Sequence, residues 1–141
     1  MTPEEALRAV SSVLTEFLNC EIQRENKKHN DDIVLGEIPA QNYFYNLLDL
    51  PNVDKLVNLE LADTPADAKT SEIEIDLSFG IRGEKDYFRA LRYQQALQQV
   101  LLAHSRAEGL DLKIESKNIA GFKSGSLKRY LISFRVSTTT I

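Results

Sequence analysis

Residues 71–104 read SEIEIDLSFGIRGEKDYFRALRYQQALQQVLLAH. In the first part Ile73, Ile75, Leu77 and Phe79 alternate with Glu72, Glu74, Asp76 and Ser78. Strict alternation marks a strand with one dry and one wet face. Gly80 and Gly83 then bracket a turn, and the apolar spacing changes to that of a helix. A helix is predicted over 84–104, with Tyr87, Ala90, Leu91, Leu97, Val100, Leu101 and His104 as its buried stripe. Gln94, Gln95, Gln98 and Gln99 interrupt or flank that stripe.

The segments on either side complete the pattern. Thr2-Pro3-Glu4-Glu5 is a helix start: threonine caps, proline suits the first turn, and Glu5 sits at the capping-box position. Leu7, Val10, Val13, Leu14, Phe17 and Leu18 recur at spacings of three and four, so a helix is predicted that ends by residues 24–26. Ile33, Val34 and Leu35 read as a short strand. The segment QNYFYNLLDL, 41–50, has both periods; flanking Pro39 and Pro51 favour a short helix. Val57, Leu59 and Leu61 alternate with Asn58 and Glu60 as a half-buried strand. The polar run 62–70 has no apolar face and is predicted to be a mobile connection. Leu110, Leu112 and Ile114 alternate next. Residues 119–129, IAGFKSGSLKR, read as a loop or hairpin tip. Tyr130, Ile132, Phe134 and Val136 form the last strand, with Arg129, Ser133 and Arg135 outward.

These elements predict an α+β fold. It is a two-layer sandwich in which two long helices pack on a mainly antiparallel sheet of about four strands. The chain has 141 residues, which fits one domain spanning 1–141. A net charge of −4 and a pI near 5.2 argue against general attraction to nucleic acid or anionic membrane. No apolar run approaches the ~20 residues that span a bilayer, and the acidic N-terminus is unlike a signal peptide. Cys20 is the only cysteine, so no internal disulfide or cysteine-cluster metal site is expected. A reducing compartment fits.

The candidate chemistry is sparse. Glu72, Glu74 and Asp76 project from one strand face about 6–7 Å apart, a spacing that suits a metal pair or an acid/base pair. A carboxylate row on a flat sheet is more often a solvated face, and Arg129 and Arg135 offer cross-strand partners. His29 lies in a polar loop beside Asp31 and Asp32, with no third ligand in view. His104 sits at a helix C-terminus, where its positive form favours the dipole. Cys20 reads as a small buried hydrophobe. The glycine-, serine- and lysine-containing stretch 121–129 includes Lys123 and Lys128. It reads as a mobile tip, or as a docking loop for protein or nucleic-acid backbone; no helix follows it, as a P-loop requires. No catalytic residue, cofactor or metal is expected.

The order of elements resembles the tail terminator and neck (head-tail joining) proteins of long-tailed bacteriophages. The likeness lies in VNLEL, in the strand–glycine turn–helix of 71–102, and in LKRYLISFRVSTTT, and is strongest over 57–141. It implies a structural virion protein, made in the host cytoplasm. Such a subunit would close into a homo-oligomeric ring, expected to be a hexamer, between the tail tube protein and the head-tail connector protein. On that reading the seam joins Glu72, Glu74 and Asp76 to Arg129 and Arg135. The two loops, with Lys123 and Lys128 in the second, project toward tube and connector. No membrane or sequence-specific nucleic-acid partner is implied. Two other readings remain: a small acidic adaptor or secretion chaperone, and a small hydrolase or nuclease using Asp31, Asp32 or the Glu72 row.

Overall fold

The structure is a computed structural model that describes residues 2–62, 69–106 and 109–140. The helix α1, Pro3–Lys28, is followed by a single 3-10 turn and five strands: β1 Tyr43–Tyr45, β2 Lys55–Leu61, β3 Thr70–Gly80, β4 Leu110–Ser124 and β5 Leu127–Thr140. The helix α2, Asp86–Ala103, lies between β3 and β4. The strands form one sheet in the order β1-β2-β3-β5-β4. β1 runs parallel to β2 and every other pair is antiparallel. The expected α+β class therefore holds, with five strands in a mixed sheet. The greater part of the expected mobile connection, 63–68, lies outside the described residues.

α1 begins as its first four residues dictate. Thr2 and Glu5 form a reciprocal capping box, and Lys27 and Lys28 lie in the last turn, opposite in sign to the dipole there. The helix continues past the expected end at 24–26 because Ile22 and Glu25 are still buried. Val10, Val13, Leu14, Leu18 and Ile22 meet Val57, Leu59, Ile73, Ile75, Leu77, Ile132, Phe134 and Val136 from the sheet in a single core. α2 enters this core with Ala90, Tyr93, Ala96, Leu97, Val100 and Leu101. Tyr87 and Leu91, expected inside, are exposed, as is Phe88. The stripe is rotated toward Tyr93, whose phenol donates to the Gly36 carbonyl at 2.8 Å and whose ring packs 5.2 Å from Phe79.

Residues 33–39 do not join the sheet. Two asparagines of α1 hold them instead. The Asn26 side chain accepts from the Leu35 N–H at 2.8 Å and donates to its carbonyl at 2.9 Å. Asn19 does the same for Ile38, at 2.8 and 3.0 Å. Each amide replaces a strand neighbour, so the segment is extended and its backbone satisfied without a ladder. Asn19→Ala leaves the buried Ile38 groups unpaired and is expected to cost about 1–3 kcal/mol; a thermal melt within error of wild type would contradict this clamp.

The ambiguous segment 41–50 resolves as a strand where a helix was favoured. Tyr43 and Tyr45 both point toward α1: the Tyr43 hydroxyl lies 3.4 Å from the Leu14 carbonyl and that of Tyr45 2.6 Å from Ser11 Oγ. Asn46, at φ 49°, ends the strand. The chain then crosses the face of the sheet remote from the helices before starting β2. Its path is pinned by the Leu47 N–H on Asn58 Oδ1, and by Arg129, which donates to the carbonyls of Val53 and Asp54 at 2.8 Å each.

The stretch 119–129 also departs from the expected loop. A bulge between Ile114 and Ser116 adds Glu115 and shifts the alternation of β4, so that Lys117 and Ile119 continue the side of Leu112 and Ile114. β4 then runs on to Ser124, and only Gly125 (φ 61°) and Ser126 form the turn. The expected loop is thus the end of a long two-stranded ribbon.

Candidate interaction surface

The open face of the sheet is built in cross-strand rows. One row is Glu60, Glu74, Arg135 and Ser116; the next is Asn58, Asp76, Ser133 and Asn118; the next is Leu56, Ser78, Leu131 and Ala120. The first two rows hold most of the chemistry. Glu60 stands directly opposite Glu74, an unfavourable pairing of like charges. With Asp76 they form the one trio of metal-ligating side chains among the described residues whose oxygens lie within 4.8 Å of one another. Hard cations take such oxygen sets. Arg135 flanks the trio, 3.8 Å from Glu72 and 3.6 Å from Glu74. A depression of about 200 Å³ between Glu74, Ser116, Asn118 and Arg135 opens beside it.

Asp76 is the strained member. Burial raises its pKa to about 6, and the neighbouring Glu74 and Glu60 push the same way, while a 2.7 Å hydrogen bond donated by Ser133 opposes them. Because the folded pKa lies above the ordinary 3.8, the folded protein holds a proton that the unfolded chain has lost between those values. Stability therefore falls as pH rises through about 4 to 6 and stays lower above that window. After discounting for solvent screening, Asp76→Asn is expected to add about 1–2 kcal/mol near pH 8 and little below pH 4. Equal gains at both pH values would contradict the assignment.

The other sequence candidates are placed as follows. Arg129 points to the open face as expected but is not available there: it is 2% exposed, covered by the crossing segment, and also donates to Ser78 Oγ at 2.8 Å. The expected row of Arg129 and Arg135 is therefore reduced to Arg135, and that residue is paired with Glu72 and Glu74 of its own chain. Lys123 and Lys128 stand directly opposite each other at the end of the β4–β5 ribbon, and both are exposed.

Asp31 receives a two-pronged contact from Arg92 (3.0 and 2.6 Å) that holds its carboxyl down at about 2, and Asp32 pairs with Lys85. The two aspartates thus fasten their loop to α2. His29 Nε2 meets Glu25 at 3.0 Å. His104 caps α2 and its ring stacks on Phe17 at 3.8 Å. Cys20, expected to be buried, is exposed.

Sequence reasoning missed a cleft of about 610 Å³ at the start of α2, floored by Phe79 and Tyr93. Its rim cations are matched by acids: Lys55 and Arg82 by Asp54, Lys85 by Asp32, and Arg89 by Asp86. Burial alone would raise Asp86, but N–H groups of Arg82 and Gly83 and the Arg89 guanidinium keep it ionised and below the usual range. With Glu84 also in the lining, four acids meet these four cations, so the cleft offers little net attraction to an ion. It was hidden from the sequence because its walls come from three separate segments, 34–36, 54–55 and 79–93.

No protein-family model matches this chain, and no curated protein matches it.

Proposed function

We propose that this protein is a structural ring subunit of a long-tailed phage particle, a tail terminator or head-tail joining protein that caps the tail tube and docks it to the head connector. The observation that supports this most is the pair of unlike sheet edges. On one side lies β1, only three residues long; on the other lies β4, fifteen residues long and paired on one side only. A long unpaired edge invites association. Unlike surfaces on one chain join head to tail, and such contacts close into rings when the rotation permits. The element order argues in the same direction, from helix through glycine turn and second helix to the terminal hairpin. On this reading the ring is a hexamer, resident in the neck of the virion.

The test is electron microscopy of the purified protein mixed with tubes assembled from the tail tube protein of the same genome. A ring of extra density at one tube end is expected. Bare tube ends, with the protein left in the supernatant, would overturn the reading and favour an adaptor or secretion chaperone.

A further inference from the structure

We propose that the lysine-bearing end of the β4–β5 ribbon of one copy seats on the Glu60–Glu74–Asp76 part of the open sheet face of the next copy. This deepens the ring reading and rests on it.

The two surfaces are opposite in charge by the order of the sequence. Every Asp and Glu of the chain precedes Ser116, whereas Lys117, Lys123, Lys128, Arg129 and Arg135 follow it. With Arg129 buried and Arg135 engaged by Glu72 and Glu74, the ribbon end presents the lysines. Lys123 and Lys128 face each other across the ladder, and no acid follows Glu115 in the ribbon to separate them. Like charges set opposite each other are unfavourable, and an acidic surface relieves them.

The open face carries the converse problem. Glu60 is opposite Glu74, Asp76 lies against both, and Arg135 is the one cation of the described residues paired there. A cationic side chain arriving from outside relieves that cluster, and the depression bounded by Glu74, Ser116 and Asn118 gives it room.

The two surfaces do not meet within one copy. Lys128 precedes Arg135 on β5 by seven residues, and Arg135 is the strand neighbour of Glu74. At the rise of a strand that is about 23 Å. The contact is therefore between copies. Lys123 and Lys128 lie on the same side of the ribbon as Tyr130, the helix side, beyond the point where Tyr87 covers Tyr130 at 6.0 Å. That overhang can lie over the helix-free face of a neighbour, as one tile overlaps the next. The joined surfaces are different, so the contact is heterologous, as a ring requires.

The test uses two full-length charge-reversed proteins. One carries Lys123→Glu with Lys128→Glu, and the other Glu60→Lys with Glu74→Lys. Alone, each brings like charges together at the seam, and association should weaken at least about tenfold. Mixed in equal amounts, the reversed ribbon meets the reversed face and the wild-type ribbon meets the wild-type face, so the mass by light scattering should return toward that of the wild type. Thermal melts confirm that each is folded; if the face variant does not fold, Glu60→Gln is compared with Lys123→Gln/Lys128→Gln, and each should weaken association. Wild-type association in either folded reversal variant would overturn the proposed seam and leave the ring standing on another surface. A wild-type protein that is monomeric by itself and on tail tubes would overturn the ring reading itself.

Discussion

Ile75→Asp is expected to abolish cooperative folding. Ile75 is 0% exposed in the middle of β3, between Leu59 of β2 and Phe134 of β5, and faces the helix layer. The substitution removes apolar surface worth about 2–3 kcal/mol and leaves a carboxylate without partners, which costs several kcal/mol more. A single domain has about 5–15 kcal/mol in total, so the sum consumes most or all of it. Circular dichroism during a thermal melt reads the result: a broad, non-cooperative signal is expected. The neighbouring Glu74, on the opposite side of the same strand, supplies the control. Glu74→Gln should melt close to wild type, since its pairing with Arg135 is half exposed and contributes about 1 kcal/mol or less. A normal melt for Ile75→Asp would mean that the facing of β3 is wrong.

Arg129→Ala should have the second largest effect, about 3–5 kcal/mol. The guanidinium holds three acceptors at 2.8 Å each, namely Ser78 Oγ and the carbonyls of Val53 and Asp54. Those groups come from two places in the chain, so one side chain fastens the segment that crosses the open face to β3. Truncation leaves buried acceptors unpaired and a void beside Ser78 and Leu56, both fully buried. Arg129→Lys should recover little, because an ammonium lacks the planar fork that reaches all three at once. Amide exchange would report the local part of the loss, as faster exchange around Asn58 and Gly80. A loss under about 1 kcal/mol, or full recovery by lysine, would show that the fork is not what holds the segment.

These two residues mark how far the sequence was legible. Ile75 could be placed from alternation alone, because a period of two over 72–79 assigns every side chain to a face. Arg129 obeyed the same rule and was correctly directed to the open face, yet its burial depends on a segment 75 residues away that crosses over it. Local periodicity carries no information about such covering. β1 was obscured for a related reason: three residues are too few to separate a period of two from helical spacing, and the anchors of Tyr43 and Tyr45 lie on α1. In β4 the bulge at Glu115 reversed the alternation midway, so the strand looked finished at Ile114. The interaction surface was half visible. The row Glu72, Glu74 and Asp76 is readable from its own strand, whereas Glu60 joins through the β2–β3 register, which neither strand reveals alone. Lys123 and Lys128 were named as loop residues; the ribbon makes them opposed neighbours.

The proposed joining of copies of this chain through unlike surfaces is tested by the solution mass of the wild-type protein across a concentration series, by light scattering at low and at high salt. A closed oligomer of fixed subunit number is predicted, weakened by salt because opposite charges meet at every seam. A mass that stops at a dimer, or one that remains a monomer at every concentration and with tail tubes added, would contradict it.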